Sequence, residues 1–387
     1  MDASNPRVHG DVDGRFEALR AAFAAKLASK EELGASIAVN LGGDTVVDIW
    51  GGYRDAARTQ PWDRDTIVNV WSTTKEITAL AILRCADRGL IDLDEPVATY
   101  WPEFARNGKA DIRVRHIMSH TSGVSGWDQP FVLEDMYDWE KATSRLAAQA
   151  PWWEPGTASG YHANDQGHLL GEILRRVTGR TLKQFVAEEI AGPLDVDLQI
   201  GARPEDDARC AEIIPPPPIP FDIEALGPDS PAVKTFTGPV VDARAANTIP
   251  WRRADMGALN GHTNARALAR TFSAITLGGE VDGVRLLSPA TIDRIFEEQS
   301  RNVDLVLGIP LRFGIGFALP DVETIPYLPD ERTCFWGGWG GSMTVMFLDR
   351  GLTVSYVMNR MAPGIIGSDR SATYLAIILG AVDLVGS

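Results

Sequence analysis

Near the start of the chain, Phe16, Leu19, Phe23 and Leu27 recur at steps of three and four, which predicts an amphipathic helix. The period then changes. Residues 35–41 and 45–50 are two β-rich runs around Gly42-Gly43-Asp44, the pattern of a hairpin, and Gly51-Gly52 ends it. A short β-branched, apolar run follows at 66–71. At Ser72 the pattern switches again, and Ile77, Leu80, Ile82 and Leu83 open a buried helix that Gly89 stops. From there to about residue 215 the chain reads as helices and loops. Its clearest helix carries Leu169, Leu170, Ile173, Leu174 and Val177 on one face and is closed by Gly179. Strand-like runs return only late, at 313–319, 344–348 and 353–358, and a final helix is expected over about 371–385.

Strands at both ends and helices between them predict an α+β fold. The simplest version is an antiparallel sheet built from both termini, flanked by the terminal helices, with a mostly helical domain inserted. The expected division is a discontinuous sheet domain, 1–71 with 270–387, and a helical domain, 72–269, with the active site at their interface. A chain of 387 residues, 44% apolar, is ample for a buried core. Pro215 to Pro218 and Pro220 form a stiff polyproline stretch, read as a rigid loop crossing the molecule in preference to a recognition motif. Residues 221–262 are irregular and rich in Pro, Gly and Asp; so long a loop region is expected to border the functional site.

Charge narrows the partners. A formal charge of −15 repels phosphate backbones, so nucleic acid is not expected, and no polybasic cluster favours anionic lipid. Cys85, Cys210 and Cys334 lie far apart, with no zinc spacing and no disulfide framework, which fits a reducing compartment. The N-terminus lacks the basic start and apolar core of a secretory signal, and the longest apolar run, near 374–385, is too short to span a bilayer. A cytoplasmic protein is the expectation, with its oligomeric state open.

Three short motifs carry possible chemistry. Ser72-Thr73-Thr74-Lys75 is an S-x-x-K sequence, weak alone, but it follows a β-run and opens an apolar helix. Helical residues three apart share a face, so the Lys75 amine can reach the Ser72 hydroxyl. The positive end of a helix and burial both lower a lysine pKa and free its lone pair to act as a base. Tyr161 lies in Gly160-Tyr161-His162-Ala163, just before the strong helix; a buried phenol beside a lysine can relay protons. Trp336-Gly337-Gly338-Trp339-Gly340-Gly341-Ser342 leads into a strand, and an edge strand there would offer a backbone N–H to an oxyanion. Each motif also has an ordinary reading: an N-cap serine with an exposed lysine, a core aromatic, a glycine-rich turn. His120-Thr121-Ser122-Gly123 reads as a helix end stopped by Gly123 and is taken as structural.

In order, Ser72-Thr-Thr-Lys75, His120-Thr-Ser-Gly123, Tyr161-His-Ala163 and Trp336-Gly-Gly338 resemble the serine β-lactamase-related family, and within it the pattern is most similar to family VIII carboxylesterases. Residues 171–179 and 264–270 support the resemblance, which runs from about Phe16 to Leu379. It implies a class C β-lactamase-like fold, with Ser72 as acylated nucleophile and Lys75 and Tyr161 sharing the proton transfers. It also implies an oxyanion hole from the N–H groups of Ser72 and Trp339, with Trp336, Gly337 and Gly338 at the substrate.

Two departures from the lactamase pattern point to small, neutral esters. Class C enzymes have Tyr-Ala-Asn where this chain has Tyr161-His162-Ala163; Asn164 comes one place late and receives no role. Their third motif begins with lysine, whereas here Trp336 is expected to face the pocket in place of the cation that pairs with a lactam carboxylate. Trp127, Trp152, Trp153, Trp336 and Trp339 are the expected lining of an aromatic pocket that limits chain length. The rival readings are β-lactam or amide hydrolysis or acyl transfer on the same apparatus, and a catalytically silent binding protein. No cofactor is implied: there is no G-x-S-x-G elbow, H-E-x-x-H, P-loop or Rossmann fingerprint.

Overall fold

The computed structural model describes residues 7–218 and 223–386. Pro220, the first two residues of the irregular 221–262 stretch and the first six residues of the N-terminal segment lie outside the described residues.

The first helix forms where the pattern places it. α1 (Glu17–Ala28) buries Leu19, Phe23 and Leu27 on one stripe. The hairpin follows as β2 (Gly34–Leu41) and β3 (Asp44–Gly52), with Gly42 and Gly43 both at positive φ in the turn. An edge strand that the hydrophobic pattern did not show, β1 (Val8–Val12), pairs with β3. The late strands are β4 (Ser300–Val303), β5 (Pro310–Phe313), β6 (Ala318–Leu319), β7 (Thr333–Gly337), β8 (Met343–Phe347) and β9 (Leu352–Met358). Together they make one nine-stranded antiparallel sheet in the order β1-β3-β2-β9-β8-β7-β6-β5-β4. The fold is α+β, with both termini contributing strands and the helical segment inserted between them.

Both faces of the sheet centre are covered, which is why β2 reads as a nearly unbroken buried run. Ile37 and Val39 share a core with Phe23 of α1 and with Tyr374 and Ile378 of the C-terminal helix α5 (Asp369–Gly386). Ala38 faces the other way, into the core that holds Leu268 and Phe272 of α4 (Ala265–Thr276) and most of the helical segment. The expected domain boundary at 269/270 falls inside α4.

Several expectations change in detail. Of the 66–71 run only Val68–Asn69 forms a strand, paired with Gly261–Thr263 in a small three-stranded sheet, while Ile67 and Trp71 make isolated bridges to Cys210 and Asn260. The 313–319 run breaks into β5 and β6 around Gly314 and Gly316, the latter at φ 83°. The 344–348 strand is β8, interior to the sheet between β7 and β9, so it offers no free edge. The segment before Gly123 is a short helix, Val114–Met118, that ends well ahead of that glycine, and His120 itself takes φ 63°. The 221–262 stretch is not a bare loop: it contains the helices Pro231–Thr237 and Ile249–Arg253. The polyproline loop is pinned at its start, Ile214 exchanging backbone bonds with Asn359 (2.8 Å) and Met361 (3.0 Å). All three cysteines are free, and among the described residues no helix is long and apolar enough to cross a membrane.

Candidate active site

Ser72 stands in the turn between a pinned strand and a buried helix. The Val70 N–H donates to the Gly261 carbonyl (2.9 Å), and α2 (Thr74–Asp87) starts two residues after Ser72. Trp71, between them, is held at φ 50°, a left-handed conformation that costs a bulky residue about 1–3 kcal/mol and concentrates at functional sites. Its ring is wedged edge-on between Trp251 (5.3 Å) and Trp339 (5.0 Å).

The glycine-rich turn after β7 docks onto this bend. Ser342 Oγ donates to the Val70 carbonyl (2.9 Å), so the Thr73 hydroxyl donates to Ser342 Oγ (3.1 Å). The Gly338 N–H donates to the Ser342 carbonyl (2.8 Å). A Cβ on Gly338 would stand 2.2 Å from the Val70 carbonyl oxygen, so this glycine is what lets the turn reach the Ser72 bend. Among the described residues, neither the Ser72 N–H nor the Trp339 N–H has a hydrogen-bond acceptor.

Lys75, one turn on, is 3% exposed, and its Nζ lies 3.1 Å from Ser72 Oγ, 2.8 Å from the Ala163 carbonyl and 3.0 Å from the Ala258 carbonyl. Burial pulls the amine down to about 7, against a smaller upward pull from Asp165. This geometry assigns the protons of the neutral form. Carbonyls only accept, so the two N–H bonds of a neutral amine go to Ala163 and Ala258, and the lone pair is left facing the Ser72 hydroxyl.

Tyr161 closes the group. Trp336 Nε1 donates to its hydroxyl oxygen (3.0 Å), which directs the phenol's own proton elsewhere, and Lys75 Nζ sits 4.8 Å from the ring centroid. Burial raises the phenol's proton affinity well above normal, so it rests as a proton donor and not as tyrosinate. Its backbone N–H is gripped by Asp304 Oδ1 (3.0 Å), which also takes the N–H groups of Val306 and Leu307 (2.9 Å each). Trp336 is held in turn by Glu76, whose Oε1 accepts its backbone N–H (2.8 Å); burial keeps that carboxyl well above the usual carboxylate range.

The two flanking histidines are neutral, burial lowering His162 to about 3 and His120 well below its ordinary value. His162 Nδ1 donates to the Gly160 carbonyl (2.7 Å), so its Nε2 accepts from the Ser122 hydroxyl (2.6 Å). The His162 backbone N–H donates to His120 Nδ1 (3.1 Å), and the His120 ring lies 4.9 Å from that of Tyr161. The segment read only as a helix end therefore packs behind the candidate phenol.

A cavity of about 270 Å³ opens over Ser72 and Tyr161. Trp71, Trp339, Phe236, Val241, Leu259 and Ile365 give it apolar walls, and no residue lining it carries a charge. Trp336, Gly337 and Gly338 do not line it. The indole of Trp336 is turned onto Tyr161, and the two glycines face the Ser72 bend and the turn. Trp127, Trp152 and Trp153 are also elsewhere, their indole N–H groups bound to the Ala142 carbonyl, Asp128 and the Ala158 carbonyl. Sequence reasoning missed the wall at 236–241, beyond marking 221–262 as a region that borders a site. It also gave no role to Asn164, which lines the cavity and reaches the Thr235 carbonyl (3.4 Å).

A family model described as Beta-lactamase matches residues 19–376. The chain belongs to that family. It is 36% identical over 380 residues to the esterase/beta-lactamase LipL of Mycobacterium tuberculosis, covering 94% of this chain and 86% of that protein. The crystal structure of a family VIII carboxylesterase superposes with a TM-score of 0.91 at 37% identity, covering 97% of this chain and 99% of the other. A penicillin-binding protein homologue from Caulobacter crescentus superposes at 0.88 with 36% identity over the same shares.

Proposed function

We propose that this member of the family is a serine carboxylesterase that hydrolyses small, uncharged, short-acyl esters through an acyl-enzyme on Ser72. The observation that carries the reading is the cavity: it opens on Ser72 beside a buried amine and has no charged residue in its lining. A carboxylate in such a site would lose water without gaining a cation, which is costly, whereas a neutral ester loses little. At about 270 Å³ the cavity is also below the roughly 300–1,000 Å³ typical for drug-sized ligands, which favours short acyl groups. The LipL and family VIII likenesses support the same chemistry.

In the first half-reaction Ser72 Oγ attacks the ester carbonyl carbon and its proton passes to the Lys75 lone pair. The carbonyl oxygen becomes an oxyanion facing the Ser72 and Trp339 N–H groups. The carbon–oxygen bond to the alcohol then breaks. The departing oxygen takes the Tyr161 proton, and Lys75 returns its proton to Tyr161. Water repeats the attack on the acyl-Ser72 ester in the second half, giving one proton to Lys75; Ser72 leaves with that proton and the carboxylic acid is released.

The test is a side-by-side assay of one preparation on p-nitrophenyl acetate, butyrate and octanoate and on a cephalosporin. We expect kcat/KM for the short esters to exceed that for the cephalosporin by at least about 10³, equivalent to roughly 4 kcal/mol of transition-state preference. An equal or better rate on the cephalosporin overturns the esterase reading.

A further inference from the structure

Trp71 carries two costs at one position. Its backbone is left-handed, at φ 50°, a region that bulky residues rarely enter, and its buried indole N–H has no hydrogen-bond partner among the described residues. Such features persist only where the surroundings over-determine them, and they gather at functional sites. Here the surroundings are specific. Trp251, fully buried, is anchored by its own indole N–H on Asn69 Oδ1 (2.9 Å). The Trp71 ring stands against Trp251 on one side and against the half-buried Trp339 on the other, with centroids 5.3 and 5.0 Å away. Among the described residues, Trp71 is the one ring in aromatic contact with Trp339. The Trp71 carbonyl accepts the Thr74 N–H (2.9 Å) where α2 starts. In a trans peptide the N–H points opposite to the carbonyl, so the Ser72 N–H is turned away from the helix and is left without an acceptor.

We propose that Trp71 is a positioning residue for the oxyanion hole: its left-handed backbone aims the Ser72 N–H away from α2, and its ring, wedged between Trp251 and Trp339, holds that N–H and the Trp339 N–H at one separation. The inference rests on the reading of Ser72 as the acylated nucleophile and adds what places its two oxyanion donors. These donors come from distant parts of the chain. Ser342 and Gly338 fasten the glycine-rich turn to Val70, but neither contact involves Trp339 itself. Two N–H groups stabilise a developing oxyanion only if both are in place before the reaction. A glycine at this position would take the left-handed backbone without strain, yet would hold nothing against Trp339. Trp71 also lines the cavity, so a second role as a wall must be separated from this one. A wall acts on any molecule that fills the space; a positioning residue acts on the charge that forms on the carbonyl oxygen.

The experiment compares wild type, Trp71→Phe, Trp71→Gly and Trp101→Phe on p-nitrophenyl acetate, with inhibition by 1,1,1-trifluoropentan-2-one and by pentan-2-one, and with melting temperatures alongside. Ser72 Oγ adds to the carbonyl carbon of the trifluoromethyl ketone, its proton passes to Lys75, and the carbonyl oxygen becomes an oxyanion. Pentan-2-one has the same chain and forms no stable adduct, so the ratio of the two inhibition constants reads the hole and not the wall. Trp101 is a buried indole of the same core, beneath Arg176 of α3 (Gln166–Thr178) and outside the cavity lining, so Trp101→Phe reports the loss of a buried ring alone. We expect kcat to fall by about tenfold or more in Trp71→Gly and about fivefold in Trp71→Phe, less than the roughly 10²–10³ lost when an oxyanion donor is removed outright. The advantage of the trifluoromethyl ketone over pentan-2-one shrinks by the same factors. Trp101→Phe lowers the melting temperature and leaves kcat and that advantage unchanged. Should Trp71→Gly fail to fold, Trp71→Phe decides. A folded Trp71 variant that loses affinity for both ketones equally, or that keeps wild-type kcat and selectivity, overturns the proposal and leaves Ser72 as the nucleophile. A matching loss in Trp101→Phe overturns it too. A wild type that binds the trifluoromethyl ketone no better than pentan-2-one overturns the acyl-enzyme reading, and this proposal with it.

Discussion

The two sides of the cavity over Ser72 are built differently. On one side Ser72, Lys75 and Tyr161 are held by buried bonds that converge from distant parts of the chain: Ala163 and Ala258 on the amine, Trp336 on the phenol, Asp304 on the Tyr161 backbone, and Ser342 on the bend. On the other side the wall is one short apolar segment, 236–241, with Val240 68% exposed at the rim. It hangs from Thr235, whose carbonyl takes Asn164 Nδ2 and whose hydroxyl donates to the Ser125 carbonyl (3.0 Å). The first side fixes reacting atoms; the second only shapes space. Changes on the first should therefore lower kcat for every ester alike, and changes on the second should alter which ester is preferred.

The largest expected effect is on the reacting side. Ser72→Ala removes the proposed nucleophile and should lower kcat by on the order of 10³–10⁶ on all esters, with the melting temperature nearly unchanged because the side chain is small. Steady-state rates on acetate and octanoate esters check it. More than a tenth of wild-type activity on either would show that the acyl group is carried elsewhere.

Next comes the phenol. Tyr161→Phe keeps the ring that packs against Lys75 and His120 but removes the hydroxyl proposed to protonate the departing alcohol, for an expected loss of about 10²–10⁴ in kcat. Trp336→Phe leaves the phenol in place and takes away the indole N–H that orients it, together with part of a buried ring whose loss should show in the melting temperature. One neutral hydrogen bond contributes about 0.5–1.5 kcal/mol, so the expected fall is threefold to tenfold, again equal across esters. A Trp336 effect that depends strongly on acyl length would instead return that indole to the substrate pocket.

Legibility divides along the same line. Ser72 and Lys75 pair from sequence because a helical turn brings i and i+3 together, whereas the glycines before Ser342 point to a strand N–H for an oxyanion and not to the close approach to Val70. The strands β2, β3, β8 and β9 showed because each is rich in β-branched and apolar side chains over five or more residues. β1, whose Val8 and Val12 are separated by His9, Gly10 and Asp11, did not, although both valines pack against the sheet core. Trp336, expected to face the pocket, turns its indole onto the Tyr161 hydroxyl, because spacing along a strand gives a register but not the partner of an indole N–H. The wall at 236–241 shows in the sequence only as part of the long 221–262 region: its residues are brought over Ser72 by Thr235, Ser125 and Asn164, which are far apart in the chain.

The smallest effect is the one that separates the two sides most sharply. Phe236 is half-buried, lines the cavity and makes no hydrogen bond to the reacting group. Phe236→Ala should cost little stability and leave the rate on acetate within about twofold, since Ser72, Lys75 and Tyr161 keep all their partners. The space it opens can take methylenes that the wild-type wall turns away. Each methylene newly buried is worth about 0.8 kcal/mol, nearly fourfold in kcat/KM. Part of that gain is lost because the enlarged cavity packs less closely around the chain. We therefore expect the octanoate-to-acetate ratio of kcat/KM to rise by about fivefold to tenfold over wild type, measured on p-nitrophenyl esters in parallel. Trp336→Phe, measured the same way, should leave that ratio flat while lowering both rates. If Phe236→Ala lowered both rates equally, the 236–241 segment would belong to the reacting side, and the distinction between the two walls would fail.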